Sequence, residues 1–341
     1  MSLKVTYVIP NLEVSGGIKV VVEHAEELHA RGHDVCVVSL GPPAPWRNVD
    51  APVRVVSEIS AATLPATGLA IATWFETVVP TVRAVGARRA VHFSQGYEAI
   101  YPHVAHRKAE IDEAYGQPIP KLLISRHLVE LYEGRFPGPF FVVPQAIRAA
   151  DYAPPDPERA APRTPPTIGV VGPFEGLNKG IRYALEAVAR LRVDGRDVRL
   201  LRASQTPLRP EEDAIAHADL YLHAASVAGM AEWYRQVDVL VHPSFEAEGF
   251  PLPPLEAMAA GVPVVLTRIP SFDPLPDDVV VRVEPGDSAG MAEAAARLLD
   301  DPAAWAARRG KGLPLAREYS IPRAVDALEE ALQKMSWSAN R

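Results

Sequence analysis

The sequence predicts two doubly wound α/β domains, each built on an open, mostly parallel sheet. Its 341 residues are enough for about two domains of ordinary size. In both halves, short runs rich in valine and isoleucine alternate with segments whose apolar residues recur at helical spacing. A proline-rich stretch interrupts this alternation near the midpoint of the chain. Ligands of such sheets bind at the carboxyl ends of the strands.

The first half opens with a strand, a glycine turn, a helix and a second strand. The apolar run 3–10 is followed by Ser15-Gly16-Gly17, and helical spacing then extends over 18–30. Gly32 is typical of the residue that ends a helix, and the next strand is expected at 34–40. Further strands are predicted at 53–56, 69–73, 90–94, 122–125 and 140–143.

The proline-rich stretch spans 149–166 and has no apolar periodicity. It holds prolines 154, 155, 157, 162, 165 and 166. Proline restricts its own φ and the conformation of the preceding residue, so the stretch predicts a semi-rigid linker at 151–166. An amino-terminal domain at 1–150 and a carboxy-terminal domain at 167–320 would flank it.

The second half repeats the α/β alternation and ends in helices. Strands are predicted at 167–172, 198–202, 220–223, 239–242, 262–266 and 279–283. Helices are predicted at 179–192, 228–237, 252–260, 291–300, 302–318 and 321–336.

Composition excludes several classes of protein. Apolar residues make up 48% and charged residues 23%, which argues against a disordered or fibrous chain. Cys36 is the single cysteine, so an internal disulfide is excluded and a reducing, cytoplasmic location is expected. The net charge of −7 gives no reason to expect a nucleic-acid partner. The longest uncharged stretch, 59–75, contains a proline and a glycine and is shorter than the roughly 20 apolar residues of a membrane span. Peripheral membrane contact stays open, and the sequence predicts no oligomeric state.

The most informative stretch is 243–265, PSFEAEGFPLPPLEAMAAGVPVV, which predicts a strand end, a loop, a helix and a strand. Glu248 and Glu256 are separated by seven residues. Gly249 permits a sharp turn against a ligand, and a loop entering a helix offers backbone N–H groups to a phosphate. Carboxylates would instead accept hydrogen bonds from the hydroxyls of a sugar or a ribose. The alternative is a helix-capping Glu248 with a solvated Glu256.

This stretch resembles the E-x7-E signature of retaining glycosyltransferases of family 4, whose GT-B fold has two Rossmann-like domains facing across a cleft. The segment 233–240 also resembles the family. The resemblance implies that Glu248 is catalytic and faces the hydroxyls of the donor sugar, while Glu256 holds the ribose hydroxyls of the nucleotide. The N–H groups of Gly249, Phe250 and Leu252 would line the sugar and the diphosphate. Pro251 stands where the family often has glycine.

The segment 168–180, IGVVGPFEGLNKG, resembles the diphosphate-binding segment of the same family. Lys179 matches a lysine that would neutralise the departing diphosphate during catalysis. Pro173 stands where the family usually has an arginine, which puts the full cationic clamp in doubt. The alternative for Lys179 is an exposed lysine in the first turn of a helix.

In the amino-terminal half, the resemblance implies that Gly16 and Gly17 approach the donor phosphate. Arg126, which follows a predicted strand, could meet that phosphate as well. The polar residues Gln95, Tyr97 and Glu98 follow another strand and are expected on the acceptor side, in an arrangement similar to a rhamnosyltransferase-like branch. The alternative there is a turn with an aromatic anchor. The resemblance also implies that the 321–336 helix packs back on the first domain.

No metal site and no cofactor are expected. Pairs such as His29 with His33 lack a third ligand at suitable spacing, and no Asp-x-Asp motif is present. The nucleotide sugar would be a substrate, and helix dipoles and cations would replace a bound ion.

The sequence thus predicts a retaining glycosyltransferase of polysaccharide biosynthesis. It would move a hexosyl or deoxyhexosyl group from a nucleoside-diphosphate sugar to the hydroxyl of a glycan, a lipid-linked acceptor or a small molecule. The alternatives are a non-catalytic protein that binds nucleotide sugars or glycans, and a sugar-nucleotide epimerase. The base, the sugar and the acceptor cannot be read from the sequence.

Overall fold

The chain folds into two compact units. One comprises the chain up to Ala146 together with the chain from Ile321 onward, and the other comprises Ile147–Ser320. The structure, a computed structural model, describes residues 2–13, 15–42, 48–156, 158–246 and 249–339, with side chains as far as Met335.

The amino-terminal unit is built on a parallel sheet that has seven strands within the described residues. Their order across the sheet is β3-β2-β1-β4-β5-β6-β7. The strands are β1 (Lys4–Ile9), β2 (Asp34–Ser39), β3 (Val53–Val55), β4 (Leu69–Ala72), β5 (Ala90–Ser94), β6 (Lys121–Leu123) and β7 (Phe140–Val142). The connecting helices include α1 (Gly16–Ala30), α2 (Phe75–Val85), α3 (Lys108–Tyr115) and α4 (Arg126–Tyr132). Nearly every residue of the central strands β1, β4 and β5 is buried, as expected of a parallel sheet that is covered on both faces.

Helix α1 begins two residues before its predicted start. The Ser15 hydroxyl caps the helix by accepting a hydrogen bond from the N–H of Ile18 at 3.2 Å, so Gly16 and Gly17 form its first turn and are not a free loop. Gly32 follows the last turn with φ of +85°, and the N–H of His33 bonds back to the Leu28 carbonyl at 3.1 Å. This confirms the predicted glycine stop.

The carboxy-terminal unit has six parallel strands within its described residues, in the order β10-β9-β8-β11-β12-β13. They are β8 (Thr167–Val171), β9 (Arg199–Ser204), β10 (Leu220–His223), β11 (Val239–His242), β12 (Val264–Thr267) and β13 (Val280–Val283). The helices are α5 (Ala149–Tyr152), α6 (Ile181–Val193), α7 (Pro210–Ile215), α8 (Val227–Arg235), α9 (Pro253–Ala259), α10 (Ser288–Asp300) and α11 (Pro302–Glu318). The two sheets confirm the predicted doubly wound architecture.

The segment predicted as a linker, 151–166, lies within the carboxy-terminal unit. Arg159 and Arg163 of this segment form ion pairs with Asp238, whose side chain is 0% exposed. Asp238 accepts hydrogen bonds from the Arg163 guanidinium at 2.8 Å, from the Thr167 N–H at 2.7 Å and from Arg159. A buried carboxylate needs such partners, and they hold the proline-rich segment to the domain.

The last helix, α12 (Ile321–Ala339), belongs to the amino-terminal unit. Arg31, after the end of α1, donates hydrogen bonds to Asp326 at 2.7 Å and to Glu329 at 3.1 Å. His33 Nε2 lies 2.7 Å from the other Glu329 oxygen. These polar contacts hold α12 beside α1.

Candidate functional site

The candidate site lies where the second sheet reverses its winding, at the adjacent carboxyl ends of β8 and β11. The loop 172–180 leaves β8 and leads towards α6. The second loop, described at 243–246 and 249–252, lies between β11 and α9 in the chain. Ligands of doubly wound sheets bind outside the carboxyl ends at such a point. The two segments that resemble donor-binding motifs are therefore neighbours in the fold.

The two loops contact each other directly. The N–H of Phe245 donates a hydrogen bond to the Asn178 carbonyl at 2.8 Å. Gly180 has φ of +61°, and a Cβ at this position would lie 2.1 Å from the Pro243 carbonyl oxygen. Only glycine fits such an approach, so Gly180 brings the preceding Lys179 against the second loop.

Lys179 ends the short 3₁₀ turn Leu177–Lys179, and helix α6 starts at Ile181. The predicted placement of Lys179 inside the helix is wrong, because Gly180 adopts a left-handed conformation that separates the two elements. Burial, with a smaller contribution from the charge of Lys179, lowers the pKa of His242 to about 3. His242 is therefore neutral, and Lys179 supplies positive charge to the site.

Glu175, in the same loop as Lys179, is bonded to residues that follow β9. Its carboxylate pairs with Arg209, and it accepts a hydrogen bond from the Thr206 hydroxyl at 3.1 Å. Its own backbone N–H and Arg209 lower the pKa of Glu175, so the group stays ionised. An acidic residue inside a predicted anion-binding loop thus has its partners on the next loop.

Arg202 on β9 is a structural support for the first loop that the sequence did not single out. Its buried guanidinium donates to the Gly172 carbonyl at 2.9 Å and to the Val170 carbonyl at 2.8 Å. It also pairs with buried Glu212 at 2.8 Å. Because Glu212 neutralises this charge, Arg202 holds the start of the loop but does not replace the arginine expected at Pro173.

The second loop turns its apolar side chains inward. Phe250 is buried, stacks on Tyr319 with ring centres 5.7 Å apart, and meets Phe272 edge-on. Leu252 is buried as well, and Gly249 carries no side chain. The predicted role of their backbone N–H groups towards a ligand stays a prediction. Glu248 lies outside the described residues, so its predicted contact with the donor sugar stays a prediction.

Glu256 is buried in the first turns of α9, with 7% exposure. Its Oε1 accepts a hydrogen bond from the Tyr152 hydroxyl at 2.7 Å, and its Oε2 accepts one from the Tyr234 hydroxyl at 3.1 Å. The alternative of a solvated Glu256 is therefore wrong. The two rings meet edge-on, with centres 5.8 Å apart.

Neither tyrosine was identified from the sequence. Tyr152 ends the four-residue helix α5 inside the proline-rich segment, which shows no helical periodicity. Tyr234 lies in the segment 233–240 that resembles the family, and this resemblance is the only signal that could have pointed to it.

In the amino-terminal unit, the structure brings Gly17 and Gln95 together. The Gln95 side-chain amide donates a hydrogen bond to the Gly17 carbonyl at 3.0 Å. A Cβ on Gly17 would lie 3.1 Å from that amide nitrogen, so a larger residue would push Gln95 away. Gly17 therefore allows α1 to start close to the carboxyl end of β5.

Tyr97 and Glu98 are both buried and bonded within the domain. The Tyr97 hydroxyl donates to Asp112 and accepts from Arg135 at 2.8 Å, and Arg135 also lies over its ring. The Tyr115 hydroxyl donates to Glu98, and burial raises the pKa of Glu98 to about 7. These contacts favour the aromatic-anchor alternative for Tyr97. A role of Gln95, Tyr97 and Glu98 towards an acceptor stays a prediction.

Arg126 begins α4 after Ser125, which caps the helix. Its side chain is 77% exposed and lies 3.9 Å from Glu130. It borders a groove of about 410 Å³ that β7 and α12 of the same domain also line, through Phe140, Val142 and Lys334 among others. The predicted contact of Arg126 with the donor phosphate is untested.

Neither a metal site nor a membrane span is found within the described residues. They contain no cluster of three or more histidine, cysteine, aspartate or glutamate side chains placed to hold a metal ion. None of the helices in this part of the chain combines the length and the apolar character that crossing a membrane requires.

The carboxy-terminal unit is similar in sequence to known glycosyltransferases. Residues 165–301 match the model of the family described as Glycosyl transferases group 1. The lipopolysaccharide core biosynthesis mannosyltransferase LpsB of Rhizobium meliloti is 35% identical over 125 residues, which cover 34% of this chain and 35% of that protein. A phosphatidyl-myo-inositol mannosyltransferase of Mycobacterium leprae is 33% identical over 143 residues, or 40% of this chain and 38% of the relative. The matched part thus spans little more than a third of these relatives.

The fold is similar over nearly the whole chain. The solved sucrose-phosphate synthase of Thermosynechococcus elongatus superposes with a TM-score of 0.77 over 98% of this chain and 100% of its own, at 16% identity. Two Rossmann-like domains arranged in this order along the chain define a protein of the GT-B fold. The carboxy-terminal domain is similar to glycosyltransferases of this family, and the whole chain has the GT-B fold.

Proposed function

We propose that the protein is a retaining glycosyltransferase that moves a hexosyl group from a nucleoside-diphosphate sugar to an acceptor hydroxyl. One observation carries this proposal. The residues that match the glycosyltransferase family include both loops at the switch point of the second sheet, where Lys179 and the loop before buried Glu256 meet. The proposed donor site is therefore on the carboxy-terminal domain.

In this proposal, Lys179 neutralises the diphosphate and Glu256 binds the ribose. An ionised carboxylate accepts about four hydrogen bonds, so bonds from two tyrosines are compatible with bonds from ribose hydroxyls. Lys179 lies in a turn whose position Gly180 fixes against the second loop. The backbone of Gly249, Phe250 and Leu252 would line the sugar and the diphosphate.

The reaction breaks the bond between the anomeric carbon and the β-phosphate oxygen, and the electron pair leaves with the nucleoside diphosphate. The acceptor oxygen bonds to the anomeric carbon and passes its proton to the departing β-phosphate oxygen. As negative charge grows on the β-phosphate, a nearby cation stabilises the transition state more than the ground state. Lys179 meets this need. Glu248 would orient the sugar ring through its hydroxyls, as the resemblance implies.

The remaining predicted residues are assigned to the amino-terminal domain. Gly16, Gly17 and Arg126 would serve the donor phosphates, and Gln95, Tyr97 and Glu98 would serve the acceptor. Two relatives are named mannosyltransferases and one acts in lipopolysaccharide core biosynthesis, so mannosyl donors and glycan acceptors are the first to try. The reaction needs no metal ion in this proposal.

The two alternatives have less support. A non-catalytic binding protein or a sugar-nucleotide epimerase would retain the fold, yet the relatives reported above are named as transferases. An epimerase would also need an acid–base pair acting on the sugar ring, and the sequence offers none at a recognisable spacing.

Incubation with UDP-, GDP- and ADP-linked hexoses, mannosyl donors included, tests the proposal. Release of nucleoside diphosphate is followed with and without a panel of glycan acceptors. We expect one donor to be consumed, slowly by water and faster with a suitable acceptor, with retention at the anomeric carbon. Epimerised free donor, or binding of donors without any release of nucleoside diphosphate, would contradict it.

A further inference from the structure

The surroundings of Glu256 differ from those of an ordinary surface glutamate in the first turns of a helix. Each of its two carboxylate oxygens accepts a hydrogen bond from a different buried tyrosine, Tyr152 at 2.7 Å and Tyr234 at 3.1 Å. Both tyrosine side chains are at most 1% exposed. The two bonds come from separate helices, α5 and α8, and both helices pack against α9.

Two bonds on two oxygens restrict the carboxylate more than one would. A single bond leaves the carboxylate plane free to rotate about the side chain, whereas a donor on each oxygen restricts that rotation. The tyrosines are themselves held, because their rings meet edge-on and Trp233 packs edge-on against Tyr234 with centres 5.1 Å apart. Burial and the neighbouring carboxylate raise the pKa of Tyr234 well above its usual value, so its hydroxyl keeps the proton that it donates.

We propose that Tyr152 and Tyr234 are positioning residues for nucleotide binding, which hold the Glu256 carboxylate in the orientation that receives the ribose hydroxyls. This inference rests on the proposed function, in which Glu256 binds the ribose. It adds that ribose recognition depends on two side chains outside the E-x7-E segment. One of them, Tyr152, comes from the proline-rich segment, 104 positions away along the chain.

The proposal makes a prediction that a merely structural role would not. If the tyrosines act through Glu256 on the ribose, the loss caused by removing their hydroxyls must depend on the ribose hydroxyls of the ligand. If they only support the fold, binding of every nucleotide must fall alike. Comparing one ligand pair across one set of variants separates the two cases.

The experiment measures the dissociation constants of UDP, GDP and ADP, each beside its 2′,3′-dideoxy counterpart, by titration calorimetry. The variants are Tyr152→Phe, Tyr234→Phe and Glu256→Gln. Tyr221→Phe is the matched control, since that hydroxyl donates to the Thr206 carbonyl at 2.8 Å in the same domain. For the base that binds, we expect each Tyr→Phe change at positions 152 and 234 to weaken the ribonucleotide about fivefold to tenfold and to leave the dideoxy compound unchanged.

Kinetics provide the second readout. Because the ribose is bound equally in the ground state and the transition state, donor KM is expected to rise in both variants while kcat stays near the wild-type value. The control Tyr221→Phe should preserve the wild-type preference for the ribonucleotide. Melting temperatures of all variants show whether each is folded at the temperature of the assay.

The outcomes distinguish this inference from the function on which it rests. If Glu256→Gln abolishes the preference for ribonucleotides but the two tyrosine variants keep it, the positioning role is wrong and the ribose role of Glu256 stands. If the tyrosine variants weaken both ligands alike, the hydroxyls are only structural. If Glu256→Gln keeps the full preference, or no nucleoside diphosphate binds at millimolar concentration, the proposed donor site itself is wrong and the inference falls with it.

Discussion

Both domains bury a glutamate that is bonded to tyrosine, but they place it differently. Glu98 lies in a short 3₁₀ turn after β5, with 3% exposure, and Tyr115 donates a hydrogen bond to it. Glu256 lies in the first turns of α9 and receives hydrogen bonds from Tyr152 and Tyr234, one on each oxygen. The two sheets share one pattern of strand order, so these differences arise from the loops and helices around them.

In the proposed function, similar residues serve packing in the amino-terminal domain and bind a ligand in the carboxy-terminal domain. Around Glu98, Tyr115 also bonds to the buried Ser94 hydroxyl, which in turn bonds to the Tyr132 hydroxyl, so the partners of Glu98 form a buried polar cluster. Around Glu256, the supporting tyrosines come from two helices, α5 and α8, that both pack against α9. Four predictions, from the largest expected effect to the smallest, test this contrast.

Breaking the buried ion pair of Arg202 and Glu212 should have the largest effect, and it should be confined to the carboxy-terminal domain. Arg202→Met leaves Glu212 buried without its charged partner, which costs about 3–5 kcal/mol. Hydrogen exchange of peptides from 167–320 measures this loss, with peptides from 1–146 as the internal reference. The matched control is Arg196→Met, whose exposed pair with Asp300 contributes less than about 1 kcal/mol. A loss of stability below about 1 kcal/mol for Arg202→Met, or an equal loss in both domains, would contradict the prediction.

Glu98 should make the amino-terminal domain sensitive to pH. Burial raises its pKa from 4.5 to about 7 in the folded protein. Between these values the unfolded chain has released the proton and the folded chain still binds it, so stability is highest below pH 4.5 and falls as the pH rises to 7. The whole loss amounts to about 3 kcal/mol, since one pKa unit corresponds to about 1.4 kcal/mol.

The variant Glu98→Gln should lack this contribution. We expect the difference in unfolding free energy between wild type and variant to change by about that amount between pH 4.5 and pH 7. Urea unfolding of both proteins across this range measures it, with the amino-terminal domain followed by hydrogen exchange. If the unfolding free energies of wild type and variant instead change in parallel with pH, Glu98 is ionised in the folded state throughout this range and the prediction is wrong.

Lys179→Ala should lower kcat about 100-fold without lowering the melting temperature, because the side chain stabilises charge that develops only in the transition state. Steady-state release of nucleoside diphosphate measures the effect. Lys311→Ala is the control, because Lys311 lies on the surface of the same domain and pairs with Asp278. A rise in donor KM with unchanged kcat would instead assign Lys179 to ground-state binding.

Arg126→Ala should have the smallest effect on stability, within about 0.5 kcal/mol, because the side chain is mostly exposed and its pair with Glu130 is long. Thermal unfolding checks this. A fall in kcat/KM at unchanged stability would support the donor-phosphate contact predicted from the sequence. Unchanged kinetics would leave Arg126 as a residue of the groove beside α12.

The sequence was sufficient to predict the architecture. Buried parallel strands appear as short apolar runs, and glycines mark the turns between strands and helices, so most strands and the candidate loops were located correctly. Helices α2, α3, α4, α5 and α7 were not assigned. α2 contains Pro80, and α7 is only six residues long, so periodicity over one or two turns carries little signal.

The site was predicted less completely, for a physical reason. Motif spacing indicates which residues share a loop, but it does not show which side chains from distant segments reach them. Tyr152 contacts Glu256 across 104 positions, and Arg202 reaches Gly172 from the neighbouring strand. The anchoring of Tyr97 by Asp112 and Arg135 also depends on how α3 and the chain after α4 pack. These contacts appear only once the sheet is assembled.

The melting temperature of wild type and of Glu256→Ala in the presence of UDP, GDP, dTDP or ADP tests the central claim most directly. A nucleotide that binds only the folded state stabilises it by about 2.7 kcal/mol at a hundredfold excess over Kd. We predict that one nucleotide raises the melting temperature of the wild type by about 5 °C or more and that of Glu256→Ala much less. Equal rises in both proteins, or no rise with any of the four at millimolar concentration, would contradict a nucleotide site built on Glu256.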